Sequence, residues 1–355
     1  MRKAHVSIIG AGQFASVMGN VVAQNVADSE DFDSRIVMYV YEPPLQSGRS
    51  IAQEINENHL NVSLQPPMQM RENLVASTDL AQCAASADFL IFASPHQYLE
   101  ALLEDMKVHV KRSALAISLS KGFYFEDGEL LLATAQIETA LGIPCLALGG
   151  PNVADQIASC ELAETTIGYR QREHALPFCK LFGNATFKVR AIEGVEGVQT
   201  MGALKNIVAL GVGFAQALGV GSNTTALIMR RGISEMFAFT KLFFPDVSFE
   251  FLLESCGIGD LITSCTSGRN LRCAKAFALG HAEQVTWASL ERTMLNGMSL
   301  QGPLCLQQVH KALSKREQKR DFTLFEVLYQ IAFEGAQPAL LLEVLSHNMP
   351  HYVVI

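Results

Sequence analysis

Apolar residues follow two textures along the chain. In the first half, short runs at 6–9, 36–41, 89–93, 115–119 and 146–148 are apolar on consecutive positions, and helical stretches separate them. A strand that is apolar on both faces must be covered on both, so this pattern predicts a parallel sheet between helix layers. Weaker runs at 165–169 and 187–189 extend it, and 14–27 reads as a helix. After about residue 192 the strand-like runs stop. Stretches rich in Ala, Leu and Met at 196–218, 224–243 and 306–313 read as helices. The sequence therefore predicts a doubly wound α/β domain over residues 1–192 and an all-α domain over 193–355. No Ser/Gly-rich linker, repeat or low-complexity tract interrupts the two.

Composition narrows the class. Of 355 residues, 49% are hydrophobic and 17% charged, enough apolar side chain for a large core and too much for a disordered or fibrous chain. The formal net charge of −8 opposes a nucleic-acid role. The most apolar long stretch, 207–221, is interrupted by glycines and Gln216, and falls short of the roughly 20 apolar residues a membrane span needs. We expect a buried helix there, with no membrane or nucleic-acid partner. The eight cysteines form no CxxC pair and match no zinc spacing, so free thiols in a reducing compartment and no metal are expected. The start carries no secretory h-region and the end no peroxisomal or prenylation signal, so the cytoplasm is the expected location.

Candidate chemistry begins at Gly10-Ala11-Gly12-Gln13-Phe14-Ala15, a GxGxxA turn between an expected strand and an expected helix. Gly10 permits the tight turn, Gly12 lets backbone approach a pyrophosphate, and Ala15 allows close helix–strand packing. The helix N-terminus then offers free N–H groups to the phosphates. Glu42 ends the second expected strand, where an acid can bind ribose hydroxyls and favour NAD over NADP. Its spacing is longer than usual, and a solvated strand-end charge is the competing reading. Arg49 follows as a solvated helix-start charge.

Four more segments set polar residues in apolar surroundings: Ser118 to Gly122 with Lys121, Gly149 to Ala154, Ala203 to Ile207 with Lys205 and Asn206, and Asp260 to Asn270 with Ser264 and Arg269. A lysine inside an Ala/Gly/Val helix is costly unless paired or functional. Each also has a plainer reading: a structural ion pair for Lys205, a helix cap for Asp260, a surface charge for Arg269. Brought together, they make coherent chemistry. Arg269 and Asn270 offer a guanidinium fork and amide donors for a phosphate, and Lys121 adds a second cation. Lys205 is a candidate acid for a carbonyl oxygen becoming an alkoxide, with Asp260 orienting it.

The motifs GAGQFA, PHQY at 95–98, SLSKG, GPNVA, ETTIG, GALKN, LIMRRG, ESCGIGDLITSC, GRN and NG..LQGP occur in order across nearly the whole chain. The chain resembles the NAD-dependent glycerol-3-phosphate dehydrogenases of the soluble eukaryotic type. The resemblance implies interconversion of dihydroxyacetone phosphate plus NADH with sn-glycerol 3-phosphate plus NAD. It also implies a Rossmann-like N-terminal domain, a helical C-terminal domain and a homodimer. Carried over by motif, Lys205 is the catalytic lysine. Lys121, Asn206, Asp260, Ser264, Arg269 and Asn270 belong to the substrate pocket, with Lys121 and Asp260 supporting catalysis. Gly10, Ala11, Gly12, Gln13, Phe14, Ala15, Tyr41, Tyr98, Lys121, Ala154, Arg269 and Gln301 line the NAD site. Three departures stand out. The closing loop, which usually reads NGQKLQG, here has Met298-Ser299 in place of Gln-Lys, removing a cation from the cofactor phosphates. Thr225 replaces another family lysine. Ser264 stands where Thr is common, keeping the hydroxyl. Two alternatives remain open at this point: a dehydrogenase acting on carboxylates on the same plan, and a non-catalytic NAD(H) sensor.

Overall fold

The computed structural model describes residues 2–42, 50–94 and 96–347. The chain divides into two compact units, Met1–Lys121 with Leu132–Val198, and Gly122–Leu131 with Gln199–Ile355. Arg49 and Pro95 lie outside the described residues, and so does the chain end at 348–355.

The first unit is built on one eight-stranded sheet. Its strands are β1 (Ala4–Ile9), β2 (Phe32–Tyr39), β3 (Leu74–Ser77), β4 (Phe89–Phe92), β5 (Leu115–Ser118), β6 (Cys145–Gly149), β7 (Ala163–Tyr169) and β8 (Phe187–Glu193), in the order β8-β7-β6-β5-β4-β1-β2-β3. From β3 to β6 all pairs are parallel. The β6–β7 pair is antiparallel, and β8 then runs parallel to β7. The continuous apolar runs account for the parallel part: Ile8, Ile36, Ile91 and Ile117 enter one core, while Ile9, Leu90, Phe92 and Ala116 enter another. The strand order reverses at β1/β4, because the chain leaves β1 to one side through β2 and β3 and returns on the other at β4. Ligands of open α/β sheets bind at such a switch point, at the carboxyl ends of the strands.

Among the described residues the second unit is helical apart from one hairpin, Phe123–Glu126 with Glu129–Leu132. Helix α1 (Gln13–Val26) belongs to the first unit. The second carries most of α2 (Glu196–Ala217), then α3 (Ser222–Phe243), α4 (Asp260–Ser267), α5 (Arg269–Leu279), α6 (Trp287–Met294), α7 (Gln301–Lys315), α8 (Thr323–Phe333) and α9 (Leu340–His347). Helix α2 is apolar enough over 18 residues to cross a membrane by length and composition, but that window is 100% buried within the protein. It is a core helix, although its apolar stretch is longer than residues 207–221 alone indicated. Glycines allow close packing around it. A Cβ on Gly213 would lie 2.5 Å from the Leu271 carbonyl oxygen, and one on Gly232 of α3 would lie 2.5 Å from Val208.

The hairpin is the one segment of residues 1–192 that clusters with the second unit. Phe123 stacks on Phe239 and Phe125 meets Phe243 edge-on, with ring centroids 5.9 Å apart in each case. Gln308 accepts the Phe125 N–H, and Lys311 donates to the Phe125 carbonyl at 3.0 Å. Apolar alternation within Phe123–Leu132 needed a partner, and the second unit supplies it.

Candidate active site

In the first unit, the GxGxxA turn sits at the switch point. Gly10 has φ +121°, and a Cβ there would meet the backbone of Ala93 and Ser94 at the end of β4, 3.2–3.3 Å away. Only glycine satisfies both constraints. A Cβ on Gly12 would meet nothing within 4 Å, so backbone is open to a ligand there. Helix α1 has no side-chain cap and no acidic residue in its first turn. Its first intrahelical donor is the Ser16 N–H, bonded to the Gly12 carbonyl, which leaves the N–H groups of Gln13, Phe14 and Ala15 for an anion. Ala15 is buried and Phe14 packs on the core. Asn61 stiffens the turn by donating to the Ala11 carbonyl and to Ser16 Oγ, both at 2.9 Å. Gln13 donates to Asp155 at 2.7 Å, tying the turn to the helix that Ala154 begins.

Tyr41 and Tyr98 are 74% and 58% exposed, an unusual state for tyrosines beside a buried sheet edge and one that leaves their rings available to a ligand. Glu42 accepts the Ala52 N–H in the first turn of helix Ile51–Asn58. One of its oxygens is therefore committed to a helix start, a use that neither sequence reading included. Lys121, just beyond β5, donates to the Gly150 carbonyl at 2.8 Å. Beside it, Ser120 bonds the Ser94 carbonyl, and Asn152 donates to Thr165, which donates to Gly149. Asn152 Oδ1 is buried with no hydrogen-bond partner among the described residues, an acceptor still to be matched. A dinucleotide fits this edge: it has an open glycine, free helix N–H groups and unmatched polar atoms.

In the second unit, Lys205 is 8% exposed in α2, whose neighbouring positions Ala203, Leu204, Val208 and Ala209 are buried and apolar. Its ammonium lies 2.6 Å from Asp260 Oδ1 and 2.6 Å from Ser264 Oγ. Asp260 and Ser264 are one turn apart on α4 and so share a face. A turn of π-helix, Ser255–Gly259, precedes Asp260, a feature frequent where a side chain must be re-aimed. A Cβ on Gly257 would lie 2.3 Å from the Phe251 carbonyl oxygen, so only glycine fits this turn. The neighbouring Cys265 thiol is pushed up to about 12 by burial, with the Lys205 charge acting the other way. It is therefore a protonated packing group near neutral pH.

Arg269 begins α5 and is exposed, with Nη1 3.7 Å from Met298 Sδ. Asn206, 7% exposed, accepts from Asn270 Nδ2 at 2.9 Å, and Asn270 Oδ1 accepts the Gly302 N–H at 2.9 Å. Gln301 starts α7 one residue earlier. Lys205, Asn206, Asp260, Ser264, Arg269, Asn270 and Gln301 thus all lie in the second unit, and the glycine turn, Tyr41, Tyr98, Lys121 and Ala154 in the first. Ser299 lies in the segment before α7, and Thr225 in the first turn of α3. No cluster of metal-ligating residues occurs among the described residues, and every cysteine is a free thiol.

Sequence reasoning missed Asn61, Gly302 and Glu235. Asn61 carries no local signal. Gly302 follows Gln301 in a motif that was read only for its glutamine. Glu235 stands four residues after Arg231 on α3, a pairing that was visible, but its partners across the unit were not.

Comparison with known proteins agrees over the whole chain. The model of the NAD-dependent glycerol-3-phosphate dehydrogenase N-terminus matches residues 5–175, and that of the C-terminus matches residues 194–343. Glycerol-3-phosphate dehydrogenase [NAD(+)] of Eremothecium gossypii is 42% identical over 93% of this chain and 80% of its own length. The Bos taurus protein of that name, cytoplasmic, is 38% identical over 98% of both chains. The solved structure of glycerol-3-phosphate dehydrogenase from Plasmodium falciparum superposes with a TM-score of 0.93 at 34% identity, covering 99% of this chain and 97% of the other. Matches of this identity and coverage establish kinship beyond a shared fold: the chain belongs to the NAD-dependent glycerol-3-phosphate dehydrogenase family.

Proposed function

We propose that this chain interconverts dihydroxyacetone phosphate plus NADH with sn-glycerol 3-phosphate plus NAD. The observation that carries the reading is the buried Lys205 ammonium held by Asp260 and Ser264. An ammonium in an apolar helix carries a burial cost, and service as proton donor to a developing alkoxide is a use that accounts for it. Bound NADH supplies the hydride. Lys205 delivers the proton to the carbonyl oxygen in the reducing direction and takes it back in the other. Asp260 and Ser264 aim the ammonium by accepting from it at two points. In the second unit Arg269 would meet the phosphate of the substrate and the spare N–H groups of Asn206 and Asn270 its oxygens; in the first unit Lys121 is the candidate cation for the same ester. In the first unit the α1 N-terminus and Gly12 would hold the cofactor pyrophosphate, with Tyr41, Tyr98 and Ala154 as its further candidates; in the second unit Gln301 is the candidate cofactor contact. Neither the carboxylate-specific dehydrogenase nor the non-catalytic sensor gains support from these features or from the relatives.

The test is loss of NADH absorbance on adding dihydroxyacetone phosphate, with NADPH and a 2-keto acid in parallel. Oxidation of NADH with the phosphate ester alone supports the reading. NADH binding without turnover would sink it. Relatives named cytoplasmic support a cytoplasmic location. We also infer a homodimer, to be checked by sedimentation against the 38.7 kDa chain mass.

A further inference from the structure

Three helices of the second unit meet at a row of amides. The row starts at the Gly302 N–H on α7, which donates to Asn270 Oδ1 on α5 at 2.9 Å. Asn270 Nδ2 donates to Asn206 Oδ1 on α2 at 2.9 Å. Asn206 Nδ2 donates to the Gly202 carbonyl, one turn back, at 3.4 Å. Side-chain amides are ordinarily ambiguous in orientation, since oxygen and nitrogen exchange places by a flip. Here the two ends remove the ambiguity. A backbone N–H can only donate and a backbone carbonyl can only accept, so every amide between them has one permitted direction. Each amide nitrogen keeps one N–H outside the row.

Gly302 is also the tightest point. Helix α7 has no side-chain cap of its own, and the Asn270 oxygen serves its second N–H from another helix. A Cβ on Gly302 would lie 2.6 Å from Asn270 Oδ1 and 3.1 Å from the Asn206 carbonyl oxygen. Contact at 2.6 Å is below what real Cβ atoms show, so the Asn270 amide would have to move.

We propose that Gly302 is a positioning residue for the substrate: its N–H and its missing side chain set the direction in which Asn270 and Asn206 present their remaining N–H groups. The inference rests on the proposed dehydrogenase reading, which gives those groups a substrate oxygen to meet. It makes α7 part of the substrate site without touching substrate. It also separates binding from chemistry, because the Lys205–Asp260–Ser264 group is held by other bonds.

The experiment is Gly302→Ala in the full chain. Gly302 is buried in the first turn of α7, so thermal unfolding is measured beside the kinetics of each variant, which separates a loss confined to function from a loss of fold. The expected result is a KM for dihydroxyacetone phosphate raised about tenfold, kcat within about threefold of wild type, and Tm not lowered by more than the Asn270 displacement requires. The effect must also run through Asn270, so Asn270→Ala and the double variant complete a cycle. A relay predicts that G302A adds nothing to N270A. An unchanged KM in G302A, or a further KM rise in the double variant, overturns the proposal. Should G302A alone fail to fold, N270A and the double variant, in which the crowding atom is gone, are compared by the same criterion. Calorimetric titration with sn-glycerol 3-phosphate separates the two readings. If the wild-type chain binds the ester without turning over, the dehydrogenase reading falls. The relay then stands or falls on whether G302A weakens that binding.

Discussion

Lys205 is buried in an apolar helix, so its short bonds to Asp260 and Ser264 offset the burial rather than add to stability. Replacing it with Met keeps volume and removes the charge. Lys205→Met is expected to abolish turnover while NADH titration remains near wild type, and comparable turnover would sink the general-acid role. Ser299 is the opposite case, a position where the resemblance leads us to expect a cation and the sequence has a hydroxyl. Ser299→Lys is expected to lower the Kd for NADH about fivefold, the equivalent of about 1 kcal/mol for one exposed phosphate contact, and the gain should shrink with added salt. An unchanged Kd at low salt would mean that this position lies outside the reach of the phosphates. Much at this scale was legible because chemistry leaves residue types where packing would not choose them: glycines in a fixed rhythm and a lysine in an apolar helix. Gly302 and Asn61 were not legible, since their partners are 32 and 45–50 residues away and nothing in either local pattern points to them.

Helices in the second unit approach closely through glycine, and this sets how α5 carries Arg269. A Cβ on Gly213 of α2 would lie 2.5 Å from the Leu271 carbonyl oxygen and 2.6 Å from Ala274, both on α5. Gly213→Ala should cost about 1–3 kcal/mol by overpacking and raise KM for the phosphate ester as α5 shifts; thermal unfolding and kinetics check the two halves. Helix α8 has another borrowed start. Glu235, buried on α3, accepts the N–H groups of Leu324 and Phe325 at 2.7 and 2.8 Å. Burial raises its carboxyl from 4.5 to about 7, outweighing those donors and the nearby Arg231. Folded protein then binds more protons than unfolded protein between pH 4.5 and 7, so this group's contribution to stability falls as pH rises through that window and is level above it. The Tm difference between pH 5 and pH 8 is expected to differ between wild type and Glu235→Gln, with wild type losing more on going to pH 8. Equal differences would place the titration elsewhere. Long periodic helices and the central strands were readable from sequence. Strand β3 was not, because Leu74–Ser77 is four residues with Asn73 and Thr78 around it. The reversal at β7 was not readable either, because alternation gives a strand its faces and not its direction.

Across the whole molecule the chain passes between its two units three times, after Lys121, after Leu131 and after Val198. The last crossing follows Val198, beyond the change of texture near residue 192. The first two were hidden, since a ten-residue hairpin of Phe, Tyr and Leu resembles any other pair of strands until its partners are known. A fragment ending at residue 198 would keep that hairpin without Phe239, Phe243 and Gln308. It is expected to aggregate or bind a hydrophobic dye, and the same fragment with 123–131 replaced by a short Gly/Ser turn is expected to stay monomeric. Equal solubility of the two would show that the hairpin buries itself. The order of synthesis imposes the same condition on every molecule made. Phe125 leaves the ribosome 183 residues before Gln308, an interval of roughly 10–40 s at ordinary translation rates. For that time the nascent first unit can complete its sheet while Phe125 still lacks Gln308, so the hairpin stays unfinished until most of the second unit has been made.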